Sequence, residues 1–173
     1  HILLYQPAIQ FLKKYIDEGK LGKIYRITQE RLNLGRARRI ENVLWSLGVH
    51  DIAVLIFLLD AKPLKMQVSG QRILQRTIED DIYLHLDFPE NIQTHLQNSW
   101  LWFEKRRIMT IAGEKGMLVF DELAQTVALH RKTIGADLQN VDEGSEIIFA
   151  ESGEPLVLEL KHFIDCVEKR KKP

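Results

Sequence analysis

The chain has 173 residues, which is enough for one domain with a sizeable core. Its 24 lysines and arginines balance 24 aspartates and glutamates, so there is no net positive charge to bind nucleic acid or an anionic membrane. The longest apolar stretch, residues 52–59, is too short to span a bilayer. The single cysteine, Cys166, excludes an intramolecular disulfide, which suits a protein of the reducing cytoplasm.

The first third of the chain is predicted to form helix, strand and helix. Residues 7–18 carry Ile9, Leu12 and Ile16 at helical spacing, and Gly19 supplies a stop. Residues 23–34 alternate apolar and polar side chains as a strand does. Asn42 is suited to cap a long apolar helix over residues 43–59.

The remaining chain is mainly β in pattern. Strands are predicted at 64–74, 80–88, 92–103, 106–112, 117–121, 125–132 and 145–149, with a loop over 133–144. A helix over 156–169 is expected to place its apolar residues on one face, namely Leu156, Leu160, Phe163, Ile164 and Val167. We therefore predict an α+β fold, a large, mainly antiparallel sheet with helices on one face.

One hairpin can be placed in register from the sequence. Apolar faces coincide only if Phe88 pairs with Ile92 and Leu84 with Leu96 across the Pro89-Glu90-Asn91 turn. The same register pairs three polar sets on the other face, Tyr83 with Gln97, His85 with His95 and Asp87 with Gln93. The sheet is thus expected to have one helix-covered face and one mostly polar, open face.

A histidine and an aspartate interrupt the second predicted helix. Desolvation disfavours the charged forms of His50 and Asp51, so their place in an apolar helix points to a function. Upstream, Arg31 and Arg36 could bind a phosphate or carboxylate, and Asn33 suits sugar hydroxyls. The alternatives are a core histidine with its hydrogen bonds satisfied, and surface charge in a solvated arginine loop.

These residues carry a family resemblance. Arg31-Leu-Asn-Leu-Gly-Arg36 and Asn42-Val-Leu-Trp-Ser-Leu-Gly-Val-His-Asp-Ile52 resemble the second domain of the Gfo/Idh/MocA oxidoreductases, in particular the branch acting on nucleotide-linked amino sugars and uronic acids. The opening segment 1–7, the segments 16–25 and 111–116, and the late stretches 154–156 and 159–166 also match, in the same order. The resemblance covers nearly the whole chain.

The resemblance implies a missing partner domain. The family begins with an NAD(P)-binding Rossmann domain that has a glycine-rich turn and a Glu-Lys-Pro motif with a catalytic lysine, and neither motif occurs here. Residues 1–173 are therefore expected to form a single substrate-binding and oligomerisation domain, with the Rossmann domain and a last helix outside this piece. NAD or NADP is expected in the longer protein, and no cofactor in this piece.

The resemblance also assigns roles to residues. His50 is the implied general acid/base beside the substrate hydroxyl, where imidazole chemistry suits proton transfer near neutral pH. Ser46 stands where many members have an aspartate, which leaves the proton transfer to His50 and the absent lysine. Two roles stay open for Trp45, packing against a sugar or filling the core, and Tyr5 is expected at the cleft between domains. Homo-oligomers are implied to form through the open sheet face.

Three other interpretations remain. A sugar sensor or regulator could keep this fold without catalysis, and the chain could be a pure oligomerisation module. His85 and His95 with Asp87 invite a metal interpretation, but no third strong ligand occurs at motif spacing. No metal is therefore expected, and the partner is expected to be a small sugar.

Overall fold

The computed structural model describes residues 1–172. Its helices are α1 (Pro7–Asp17), α2 (Val49–Leu59) and α3 (Pro155–Glu168), with a 3-10 helix (Ile2–Tyr5) before α1 and a π-helical turn (Leu44–Gly48) before α2. The strands are β1 (Ile24–Leu34), β2 (Lys65–Gln71), β3 (Asp81–Phe88), β4 (Ile92–Ser99), β5 (Leu101–Gly113), β6 (Gly116–Asp121), β7 (Thr126–Ile134) and β8 (Asn140–Ala150).

All eight strands form one sheet in the order β2-β3-β4-β1-β5-β6-β7-β8. Only β1 and β4 run parallel, and every other neighbouring pair is antiparallel. The hairpin register is confirmed at every predicted pair, including Phe88 with Ile92 and His85 with His95. The predicted α+β class is confirmed as well.

Helices α1 and α2 cover one face of this sheet. Ile9 and Leu12 of α1 and Leu55 and Leu58 of α2 are buried against the inward side chains of the strands. The inward residues follow the period-two pattern of strands, with Leu84, Leu86, Leu96, Met109, Ile111, Leu118 and Phe120 all buried. The packing of these helices therefore fixes where the first turn of α2 lies above β1.

The predicted strand 92–103 is wrong in its extent. The chain reverses at Trp100, where it passes the end of β1, and the backbone N–H of Gly35 donates to the Trp100 carbonyl at 3.1 Å. Trp100 is buried, and its indole N–H donates to the carboxylate of Asp80 at 2.7 Å. The sequence has no glycine or proline at this reversal. The buried tryptophan holds the chain there instead. Strand β5 begins at Leu101, directly after this reversal, and includes the strand predicted at 106–112.

The predicted loop 133–144 is also too long. Strand β7 continues to Ile134 and β8 begins at Asn140, joined by a tight turn in which Gly135 N–H donates to the Gln139 carbonyl at 2.8 Å. Lys132 contacts Asp142 at 2.9 Å across this ladder. Both strands are largely exposed here, so the apolar alternation that reveals strands is missing from the sequence.

Helix α3 forms as predicted, but its apolar face is not covered. Its five stripe residues are each between 53% and 61% exposed: Leu156, Leu160, Phe163, Ile164 and Val167. The opposite side of α3 contacts the 3-10 helix, where the Tyr5 hydroxyl lies 2.7 Å from His162 Nδ1. None of the helices within residues 1–172 is long and apolar enough to cross a membrane.

Candidate functional site

The site begins at a π-helical turn that leads into α2. The side-chain oxygen of Asn42 accepts the backbone N–H of Trp45 at 3.1 Å, which is the kind of bond that caps a helix. The turn Leu44–Gly48 has the wider π geometry before the regular helix starts at Val49. Single π turns recur at functional sites. His50 and Asp51 lie just after it, in the first turn of α2.

Asp51 is completely buried and bound by three donors. Its Oδ1 accepts Gln29 Nε2 at 2.6 Å and Arg31 Nε at 2.7 Å, and its Oδ2 accepts Asn98 Nδ2 at 2.8 Å. Burial raises the pKa of the Asp51 carboxyl, and the bonds from Arg31 and Asn98 oppose this rise by stabilising the carboxylate. These contacts tie the start of α2 to β1 and β4.

Arg31 connects this carboxylate to a second one. Its Nη2 contacts Glu122 Oε2 at 2.6 Å and its Nη1 contacts Oε1 at 3.1 Å, and Arg107 Nη1 reaches the same Oε1 at 2.7 Å. Although burial disfavours its charge, Asp51 and Glu122 raise the pKa of the Arg31 guanidinium above its ordinary value. Burial opposes the ionisation of Glu122 too, but Arg31 and Arg107 outweigh it and lower the pKa of that carboxyl. We call Arg31, Asp51, Arg107 and Glu122 the buried ion-pair network.

His50 lies beside this network with a half-buried imidazole. Burial lowers its pKa, and the positive charge of Arg31 lowers it further, so the ring is neutral at neutral pH. Its Nδ1 is buried and has no hydrogen-bond partner among residues 1–172. Since Nδ1 is buried, Nε2 is the nitrogen through which the neutral imidazole can accept a proton from a hydroxyl group.

Four other predicted site residues lie close to the end of β1 or in the π turn. Asn33 and Arg36 lie at the end of β1, and Trp45 and Ser46 lie in the π turn. Arg36 and Trp45 are exposed, Trp45 to 70%, and Asn33 is half-buried. Ser46 is half-buried within the π turn, whose i to i+5 bonding differs from the α-helical i, i+4 spacing expected between Ser46 and His50.

Two predicted ligands are engaged by the protein itself. The guanidinium of Arg31 is buried between Asp51 and Glu122, so its nitrogens serve the buried ion-pair network. The Tyr5 hydroxyl contacts His162 of α3. Both side chains thus have partners within the chain, and their predicted role in substrate binding stays a prediction.

Four residues of the site were missed from the sequence: Gln29, Asn98, Arg107 and Glu122. A signal existed for two of them. Gln29 follows buried Ile27 by two residues, and Asn98 follows buried Leu96 by two, so strand alternation places both amides on the helix-covered face. Polar side chains at core positions need partners, and that requirement points to Asp51.

Gly48 allows Asn98 to reach Asp51. A Cβ at Gly48 would lie 2.5 Å from Asn98 Oδ1 and 2.7 Å from Leu44 Cδ1, so Asn98 would have to move. We expect Gly48→Ala to destabilise the fold by about 1–3 kcal/mol, since the strained packing and the disturbed bond to Asp51 outweigh the better helix propensity of alanine. Urea denaturation measures this. Combined with Asn98→Ala, the substitution should cost less than it does alone, and full additivity would contradict the clash.

Structural comparison finds this fold within several oxidoreductases. The UDP-N-acetylglucosamine 3-dehydrogenase of Acidithiobacillus ferrooxidans matches with a TM-score of 0.79 and 20% identity, over 99% of this chain and 52% of its own. An aldose-aldose oxidoreductase of Caulobacter crescentus, complexed with glycerol, matches with 0.79 and 15% identity, over 100% and 54%. An oxidoreductase of Agrobacterium radiobacter, in complex with NAD+, L-tartaric acid and magnesium, gives 0.73 and 14%, over 99% and 54%. The chain thus spans about half the length of these proteins.

The sequence itself identifies the family. Residues 9–119, more than half of the chain, match the model of the GFO/IDH/MocA C-terminal domain. The chain therefore belongs to the GFO/IDH/MocA family. Comparison with curated proteins gives no significant match.

Proposed function

We propose that this chain is the substrate-binding and assembly domain of an NAD(P)-dependent oxidoreductase that oxidises a secondary hydroxyl of a nucleotide-linked sugar in the cytoplasm. The observation that carries this proposal is His50, a neutral, half-buried imidazole held beside a buried ion-pair network. Its Nδ1 has no hydrogen-bond partner among the described residues. A neutral imidazole at a half-buried position suits proton transfer near neutral pH.

The chemistry assigns His50 one task. Oxidation of an alcohol removes a proton from the hydroxyl oxygen and a hydride from its carbon. His50 would accept the proton, and a nicotinamide held by another domain would accept the hydride. None of α1, α2 and α3 begins with a Gly-x-Gly-x-x-Gly turn, so residues 1–172 do not fit a dinucleotide phosphate.

The nucleotide-linked substrate class is supported by the loop after β1. Arg36, Arg38 and Arg39 line an open cavity of about 600 Å³ with Ile40 and Glu41. Arginine is the side chain that best matches a diphosphate, because its guanidinium can donate two parallel hydrogen bonds. The exposed indole of Trp45 offers an apolar surface near this loop for a sugar or base.

The test is an activity assay on the longer protein that carries this domain. NAD and NADP are each supplied with UDP-linked N-acetylated sugars, UDP-linked uronic acids and the matching free sugars, and nicotinamide absorbance is followed. We expect turnover with the nucleotide-linked series. A preference for free sugars would reject the substrate class, and no turnover with any sugar while sugars still bind would favour a sensor.

We also propose that two copies pair through the open sheet face. Tyr83 is 52% exposed on this face, where its hydroxyl accepts Gln97 Nε2 at 2.7 Å, and Ile147 on β8 is 64% exposed. A broad face that carries exposed aromatic and aliphatic side chains is suited to pairing with a second copy.

Sedimentation at micromolar concentration should therefore show a dimer or larger species. Tyr83→Glu should shift it towards monomer, because a charge would be buried at the interface. Leu138→Glu, at the exposed turn between β7 and β8, is the matched control and should leave assembly unchanged. A monomeric parent chain, or equal effects of the two variants, would reject the interface.

A further inference from the structure

Glu122, in the turn after β6, makes side-chain contacts that the turn itself does not need. Glu122 is held by its backbone, since its N–H donates to the Arg107 carbonyl at 3.0 Å. Its side chain is only 10% exposed and binds both Arg31 and Arg107. A surface turn needs no buried carboxylate, and burying one is costly unless it is paired. The pairing of Glu122 with the two arginines therefore indicates a role other than forming the turn.

Glu122 determines which way Arg31 faces. The guanidinium is a rigid, planar fork, so its Nη atoms on Glu122 and its Nε on Asp51 fix the whole group. Arg31 in turn holds Asp51, which directly follows His50 in the first turn of α2. A chain of contacts of 2.6–3.1 Å thus runs from Glu122 to the residue next to the imidazole.

Glu122 also sets the charge around the imidazole. The charged side chains that act on His50 come from β1 (Arg31), β5 (Arg107) and the turn after β6 (Glu122). Among these only Glu122 is negative. Without it, the two guanidinium groups would be balanced by Asp51 alone.

We propose that Glu122 is the positioning residue of the His50 site: it clamps Arg31 against Asp51 and, together with Asp51, balances the charge of the two guanidinium groups at that end of the sheet. This inference rests on the proposed role of His50 for its catalytic meaning. Its physical content, that Glu122 governs the environment of the imidazole, does not depend on that role and is tested separately.

The experiment is NMR titration of the His50 ring in the 173-residue chain. Glu122→Gln removes the negative charge and should move the His50 pKa downward, because Arg31 and Arg107 remain. Arg107→Gln removes a positive charge and should move the same pKa upward. Arg107 is partly exposed, so this second variant keeps the test available if Glu122→Gln fails to fold. Glu122→Asp, which keeps the charge, should restore most of the parent value.

The controls are Glu146→Gln and Arg131→Gln, which make the same charge changes at an exposed pair on β7 and β8. They should leave the His50 pKa unchanged. Opposite shifts at Glu122 and Arg107 support the inference, because a purely structural role would lower stability without reversing the sign. A His50 pKa that follows neither variant, or follows the controls equally, overturns it. Shifts as expected together with normal turnover of a His50→Ala enzyme would instead reject the proposed function and leave the positioning role standing.

Discussion

Asp51→Ala should destabilise the domain by about 3–5 kcal/mol, the usual cost of removing one partner of a buried ion pair. Asp51 is completely buried, and its removal leaves Arg31 with one carboxylate instead of two. The amides of Gln29 and Asn98 would also lose the acceptor that they share. Because native domains are stable by only about 5–15 kcal/mol, the loss would be a large part of the total.

Urea denaturation followed by circular dichroism measures the effect. Asp17→Ala is the matched control, because Asp17 also binds a cation, Lys13 at 2.6 Å, but on the surface of α1 with half of its side chain exposed. Exposed pairs of this kind contribute about 0–1 kcal/mol. If the two variants lost equal stability, Asp51 would not be the anchor that its contacts indicate.

His50→Ala should reduce turnover of the longer enzyme by about 10²–10⁴-fold, which is the typical contribution of one acid/base group. The reason is that the neutral imidazole is the group placed to take the hydroxyl proton. Binding of the nucleotide-linked sugar should change little, because the arginines that would bind its phosphates lie on the separate loop after β1. Steady-state kinetics should therefore show a fall in kcat with KM nearly unchanged.

Asp51→Asn is the control for this experiment. It keeps the size of the side chain but removes the charge that faces Arg31, so it should lower stability with a smaller loss of turnover. Near-normal kcat for His50→Ala would make His50 a packing residue. A larger loss for Asp51→Asn than for His50→Ala would show that the network matters more than the imidazole.

Local features of the fold could be predicted from the sequence. The register of the Phe88–Ile92 hairpin follows from apolar pairing across a short turn, and the helices follow from their spacing and stops. The reversal at Trp100 could not be predicted, because it depends on a tertiary bond to Asp80. The exposed ends of β7 and β8 lack alternation and were therefore assigned to a loop.

The site was predictable only in part. His50 and Asp51 stand out because they interrupt an apolar helix. Arginine is seldom buried, so its residue type suggests a ligand-binding Arg31, whereas strand alternation from Ile27 predicts its place on the covered face. Glu122 gives no such signal, because its meeting with Arg31 requires β5 to lie between β1 and β6. That arrangement is a property of the whole sheet.

The position of β1 in the sheet also governs how the chain can fold. This strand precedes both of its neighbours by more than 60 residues, so that Ile27 pairs with Thr94 on one side and Ile111 on the other. Closing such long loops is slow, because chain entropy is lost before the contacts form. On the ribosome, β1 must wait unpaired until β4 and β5 have both emerged. During that interval its two unpaired edges are open to wrong pairing with other strands.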